Sequence, residues 1–399
     1  MAAGLDVEKC RAGFPGLNSA DYSLSVLSTK RSEEGFASTA RLFNAKAPSE
    51  VTLGHSSTNL TESLARAIEP TIKDGDEIIV SDADHEANVG SWVRLAERKG
   101  IKLHHWIPKA SPGSTNSYAV SLRIDDLIPL LNPKTRLVAF TACSNILGEL
   151  VNVEGITKAI RERTKSENNP RGAEVCIDCV AYAPHRRMDA QKWDVDYIFF
   201  SYYKASPTFV YGPHSSALYT RAESHRKLTS LAHYFLPVHE GSPYKLQPGG
   251  NGYERSYSVT AVLEYLESIG GGDLGTAFDR IAEHEGALMR PLMECLLSPE
   301  MKKRGIRVLG PETADPKIRA PTISFVVQGE TPIRSPEVVK QFDVLGDVGI
   351  RFGHFYAHRL FTRLGLNPDD GAVRISLVHY NTVAEAERLA DRLKQILLS

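Results

Sequence analysis

From about Val51 to Tyr219, strand-sized apolar runs alternate with stretches of helical period, and this rhythm constrains the fold more than any other feature of the chain. Glu77 to Val80, Ile101 to Trp106, Arg136 to Phe140, Val175 to Asp178 and Asp196 to Phe200 read as strands. Asn88 to Lys99 and Ile156 to Arg163 read as helices, with Trp92, Leu95 and Ala96 on one side of the first. Repeated βαβ units imply an α/β fold, with a mostly parallel sheet carrying helices on both faces. Past Gly249 the pattern changes. Tyr257 to Ile269 and Thr276 to Leu297 read as long helices, Thr322 to Val327 and Ala372 to Val378 as strands, and Thr382 to Leu398 as a closing helix. The expected organisation is an N-terminal segment over 1–50, a large domain over 51–250 and a smaller α+β domain over 251–399. Gly270-Gly271-Gly272 follows a helical pattern and reads as a helix stop rather than a phosphate loop.

Open α/β sheets bind ligands beyond the carboxyl ends of their strands. Two useful groups fall there: Asp178 closes one apolar strand, and Lys204 follows another. An amine and a carboxylate so placed suit pyridoxal 5′-phosphate. The amine forms a Schiff base with the aldehyde, and the acid keeps the pyridine nitrogen protonated so that the ring acts as an electron sink.

Composition narrows the partners. The 399 residues suffice for a large and a small domain, and their net charge is −1 with acids and bases interspersed. That argues against nucleic acid or an anionic membrane as a partner. The longest apolar runs are strand-sized, so no membrane-spanning helix is expected. The first residues carry early acids and no apolar core of signal-peptide length, and five cysteines do not make a disulfide scaffold; a cytoplasmic location is the expectation. Cys176 and Cys179 have CxxC spacing, but residues three apart on a strand face opposite ways. They read as small buried hydrophobes, and no metal site is expected.

Other strand ends carry candidates, each with a plainer account. Ser56-Ser57-Thr58-Asn59 precedes an amphipathic helix; its hydroxyls and free N–H groups suit a phosphate, or simply cap the helix. His85 follows the Glu77–Val80 strand and suits stacking on a pyridine ring, although a lone His is usually structural. Asn145 follows the Arg136–Phe140 strand and suits a bond to a phenolic oxygen, or a turn. Arg374 sits on a strand and suits a carboxylate, or a surface ion pair.

Taken in order, these segments resemble class V aminotransferase-like enzymes, the fold type I family of pyridoxal phosphate enzymes that includes the cysteine desulfurases. The matching pieces are Ser56-Ser57-Thr58, Asp84-His85-Glu86-Ala87-Asn88, Ser144 to Gly148, Asp178 with Ala183-Pro184-His185, Ser201-Tyr202-Tyr203-Lys204, Tyr211 to His214, Gly249 to Glu254, Arg351-Phe352-Gly353-His354 and Arg374-Ile375-Ser376. The resemblance implies Lys204 as the Schiff-base lysine and general acid/base, Asp178 on the pyridinium nitrogen, His85 stacked on the ring and Asn145 on its hydroxyl. It implies Ser57, Thr58, Ser201 and Tyr203 at the phosphate, with Tyr203 standing where the family usually has His. Gly250 and Asn251 are implied to reach a partner subunit's phosphate, hence a homodimer with its active site near the subunit interface. Arg374 and His354 are implied on the substrate side, with an amino acid as the substrate.

The departures bear on the reaction. Cysteine desulfurases carry a catalytic Cys in the loop after the Arg-x-Gly-His motif, and Tyr356 stands there instead. A phenol holds no persulfide, so the usual desulfurase activity is not expected. Ala181 replaces a common Gln. The chain is similar here to the fungal branch containing the loline-alkaloid biosynthesis enzyme, which implies chemistry at the α-carbon of an amino acid through an external aldimine and a carbanion. A Mannich-type cyclisation in alkaloid biosynthesis is the expectation, with Tyr356 and His85 beside Lys204. The alternatives are a C–S lyase, an amino-acid epimerase, or a binding protein that kept the fold. The family's Asn-Ala-Gly-Gly turn after Phe14-Pro15-Gly16-Leu17 is absent, and Ala205 to Phe209 reads as an insertion. No GxGxxG follows the first strand, which disfavours a dinucleotide enzyme.

Overall fold

A computed structural model of the chain describes residues 23–204, 212–236, 243–250 and 252–398. The Phe14–Leu17 segment, the Ala205–Phe209 stretch and Asn251 lie outside the described residues. The chain runs through β1 (Val51–Gly54), β2 (Glu77–Ser81), β3 (Lys102–Trp106), a small hairpin of β4 (Lys109–Ala110) and β5 (Val120–Ser121), then β6 (Thr135–Thr141), β7 (Glu174–Asp178), β8 (Tyr197–Ser201) and β9 (Ser216–Thr220). Seven of these form one sheet in the order β1-β9-β8-β7-β6-β2-β3. The run from β3 to β8 is parallel, as the βαβ pattern predicts, whereas β9 pairs antiparallel with both β8 and β1.

The parallel strands are apolar at successive positions because both faces are covered. Ile79, Phe140, Ile177 and Phe200 enter one core, and Ile78, Val80, Tyr197 and Phe199 enter the other with Leu64, Trp92 and Leu95. Cys176 and Cys179 are fully buried, and burial pushes both thiols well up. A second sheet, β10 (Ile306–Leu309), β11 (Thr322–Val327), β12 (Arg351–Gly353) and β13 (Ala372–Ser376), is antiparallel in the order β10-β11-β13-β12. Its core takes Leu288, Leu292 and Leu296 from the helix Leu274–Leu296, and Leu389, Leu393 and Ile396 from the helix Val383–Leu397.

Three features differ from expectation. The helical pattern near Tyr257 is two helices, Tyr253–Ser258 and Thr260–Gly270, the second closed by Gly271 at φ 67. A 21-residue helix, Ser23–Phe43, packs on both. Its Gly35 lies against the helix Tyr253–Ser258, where a Cβ would clash with the Ser256 carbonyl oxygen. The strand near Ala372 ends at Ser376.

One joint between the two sheets lies beside the site. The loop after β6 bonds to the approach to β11, with Leu150 N–H donating to the Ile318 carbonyl and Ala320 N–H to that of Gly148, at 2.9 and 2.8 Å. The fully buried Arg319 clamps this joint through the carbonyls of Leu309, Pro311 and Thr322. β11 is the neighbour of β13, so the joint sets Asn145 beside Arg374.

Candidate active site

A cavity of about 390 Å³ opens at the carboxyl ends of β6, β7 and β8, under the edge of the second sheet. One end is a cradle of hydroxyls. Ser57 opens the helix Ser57–Ile68 behind Ser56, whose side chain accepts the Asn59 N–H. The Ser57 and Ser201 hydroxyls lie 2.7 Å apart, and Ser201 continues to Ser216 at 2.8 Å. Thr58 lines the same end. Free N–H groups at a helix start beside a row of hydroxyls suit an anion. The Tyr203 ring stacks on His214 with centroids 3.8 Å apart and 13° between planes, and both face the cavity. Sequence reading gave no role to His214 or Ser216. Ser216 shows itself only through the antiparallel register that pairs it with Ser201.

The middle of the cavity holds Lys204, Asp178 and His85. Burial pushes the Asp178 carboxyl up to about 6, against the pull of the Val180 N–H bond (2.8 Å) and of the Lys204 charge. Burial depresses the Lys204 amine, Asp178 opposes this, and Arg374 adds to it. His85 is pushed down to about 4 by burial, then by the charges of Lys204 and Arg374. Its ring is therefore neutral at neutral pH. Nδ1 accepts the Ala87 N–H at 3.1 Å, which assigns the proton to Nε2.

The far wall belongs to the second sheet. Arg374 is nearly buried. Its Nη1 donates to the Asn145 carbonyl at 3.1 Å, while its buried Nε–H has no partner among the described residues. Burial, then the neighbouring Arg351, lowers it to about 10. The Asn145 amide donates to the Phe355 carbonyl at 2.9 Å and leaves a buried, unpartnered Oδ1. The Phe355 ring lies 3.6 Å from the Arg374 guanidinium carbon. Sequence reading missed Phe355, because no local pattern marks a ring that packs on a strand 19 positions away. Tyr356 is 67% exposed at the rim, its ring 5.1 Å from that of His85.

Two of the expected residues stand apart. His354 does not line this cavity; it faces an adjoining cleft of about 610 Å³ that shares Tyr356 with it. The cause is the backbone, which turns through positive φ at Gly353, Phe355 and Tyr356 and sends neighbouring side chains to different sides. Gly250 is exposed and away from this cavity's lining; its expected place is at a partner subunit's phosphate, not its own.

The donor set fits pyridoxal phosphate. An amine for the aldehyde, a buried carboxylate in want of a cation, a flat neutral imidazole, an unused amide oxygen and a hydroxyl-lined helix start converge on one volume. The Aminotransferase class-V family model matches residues 15–389. The chain belongs to the class-V aminotransferase family. The aminotransferase-like protein FGM3 of Gibberella zeae is 37% identical over 95% of this chain and 86% of its own length. The nonribosomal peptide synthetase-like enzyme fsqF of Aspergillus fumigatus is 34% identical over 96% of this chain, which spans only 24% of that longer protein. Among solved structures, the apo cysteine desulfurase of Thermococcus onnurineus shares the fold with a TM-score of 0.78 at 23% identity, covering 96% of this chain and 87% of that one. This class-V chain is thus a pyridoxal phosphate-dependent, aminotransferase-like enzyme of fold type I. No helix among its described residues is long and apolar enough to cross a membrane.

Proposed function

We propose that this class-V enzyme breaks a bond at the α-carbon of an amino acid and forms a C–C bond there, as a cyclase or lyase rather than a transaminase or a standard cysteine desulfurase. One observation carries the reading: Lys204, Asp178 and Arg374 line one cavity whose rim loop presents the phenol Tyr356, at the position where the resemblance puts a desulfurase's thiol. The cavity's own thiol, Cys143, is buried and pushed up to about 12 by that burial, so it is neutral and no sulfur acceptor.

When bound, pyridoxal phosphate supplies a sink for the electron pair left at the α-carbon. Arg374 grips the substrate carboxylate with its unused N–H and fixes which α-bond faces the sink. Lys204 takes the α-proton at Nζ, and burial lowers the basicity of its amine in the direction this role needs. Asp178 sets its charge against the pyridine nitrogen. His85 would cover one ring face as a neutral imidazole, and the unused Oδ1 of Asn145 would accept from a hydroxyl on the ring. Ser57, Thr58, Ser201 and Tyr203 hold the phosphate. The new C–C bond would join the α-carbon to an electrophilic carbon such as that of an iminium, whose π pair would move to its nitrogen. The small Ala181 and the adjoining cleft leave room for that second reactive group.

The likeness to a nonribosomal peptide synthetase-like enzyme supports a place in fungal secondary metabolism. Exposed aromatics at Tyr234, Phe235, Tyr244, Tyr253 and Tyr257, close in sequence to Gly250, support a homodimer. The reading is tested by titrating the purified holoenzyme with amino acids and cyclic-imine precursors, followed by mass spectrometry. A product containing both carbon skeletons, or a new ring, is expected. Pyruvate release from S-substituted cysteines without C–C coupling would assign a C–S lyase instead, and α-deuteration with no other change an epimerase.

A further inference from the structure

The cavity carries more positive charge than one substrate carboxylate uses. Arg351 on β12 and Arg374 on β13 are direct partners in the antiparallel register. Their side chains therefore leave the same face of the sheet, with Cβ atoms about 5 Å apart, and like charges so opposed destabilise a sheet. Both line the Lys204 cavity. The Phe355 ring gathers the two guanidinium groups, with carbon-to-centroid distances of 3.6 Å for Arg374 and 5.8 Å for Arg351. Among the described residues, neither makes an ion pair with a carboxylate, and the buried Nε–H of Arg374 is unpartnered.

The arrangement is held at a cost. Phe355 has φ 46 and Tyr356 φ 63, a region uncommon for aromatic residues. Two bonds tie the loop to the other sheet's region: Asn145 Nδ2–H to the Phe355 carbonyl at 2.9 Å, and Glu86 N–H to the Tyr356 carbonyl at 2.8 Å. The hydroxyl cradle that suits a phosphate belongs to the seven-stranded sheet and the helix Ser57–Ile68, whereas both arginines stand on the four-stranded sheet.

We propose that Arg351 and Arg374 are paired anion subsites, and that the cavity selects an amino acid whose side chain ends in a second carboxylate or a group of the same charge and shape. This rests on the reading of Arg374 as the clamp for the α-carboxylate. Arg374 takes that group, and Arg351, exposed at the mouth, takes the side-chain anion.

Calorimetric titration of the holoenzyme with succinate and with butyrate reads the subsites without turnover. Succinate is expected to bind about tenfold more tightly or better, the scale of one charge-assisted contact. Arg351→Gln should remove that difference by weakening succinate alone, and Arg351→Lys should restore part of it. A melting temperature close to wild type confirms that the exposed β12 position tolerates the change. A parallel spectral titration with L-alanine follows the amino-acid site by itself. If alanine perturbs the cofactor absorbance while succinate and butyrate bind equally, or while Arg351→Gln leaves succinate binding unchanged, the second subsite is overturned and the amino-acid reading stands. If no amino acid perturbs the absorbance and no dicarboxylate is preferred, both fall.

Discussion

Asp178 sits fully buried on β7, between β6 and β8, and its carboxyl is pushed up to about 6. Its folded pKa lies above the unfolded value, so the folded chain holds the proton longer. In the cofactor-free protein, Asp178 therefore favours folding below the ordinary carboxylate range, and that contribution is lost as pH rises to about 6. Asp178→Asn should flatten this part of the melting-temperature profile, by a difference on the order of 3 kcal/mol across the window. Identical profiles for the two proteins would show that the carboxyl is not held as described. Lys204→Ala should remove the visible absorbance of the holoenzyme and lower turnover by about 10³-fold or more, with the far-ultraviolet dichroism unchanged. An unaltered visible spectrum in that variant would refute the assignment of the amine.

At the scale of elements, the loop between β12 and the helix His358–Arg363 decides which residues face the substrate. Its consecutive positive φ values turn Phe355 onto Arg374 and Tyr356 to the rim, and send His354 to the neighbouring cleft. Phe355→Ala should loosen Arg374 by about 1 to 2 kcal/mol of cation–π and packing energy, read as a roughly tenfold rise in KM with a smaller change in kcat. The helix Ser23–Phe43 depends on a different device. Gly35 lets it approach the Ser256 carbonyl, so Gly35→Ala should destabilise the fold by about 3 kcal/mol through overpacking. Chemical denaturation measures this, and a stability unchanged within error would show that the two helices separate freely.

Over the whole molecule, the site exists because two sheets meet. Lys204, Asp178, Ser57 and Ser201 come from the seven-stranded sheet and its helix, and Arg374, Arg351 and Phe355 from the region of the four-stranded one. A homodimer is proposed, in which Gly250 of each chain would approach the phosphate end of the other's site; sedimentation equilibrium should give twice the chain mass, and a monomer under assay conditions would remove the partner from the account. That β2, β6, β7 and β8 run parallel was legible in advance, though not their order, because strands covered on both faces are apolar at successive positions and are joined through helices. The positions of Lys204, Asp178 and His85 were legible for the same reason: ligand groups lie at the carboxyl ends of such strands. The helix Ser23–Phe43 was not, since its apolar face is interrupted by polar residues that only its neighbours rationalise. The pairing of Arg351 with Arg374, the stacking of Phe355 and the displacement of His354 were equally invisible. Local sequence determines period, burial and chemical type along one element. Which side chains share a cavity depends on the register of β12 on β13 and on the Arg319 joint between the sheets, contacts between segments far apart in the chain that no local pattern encodes.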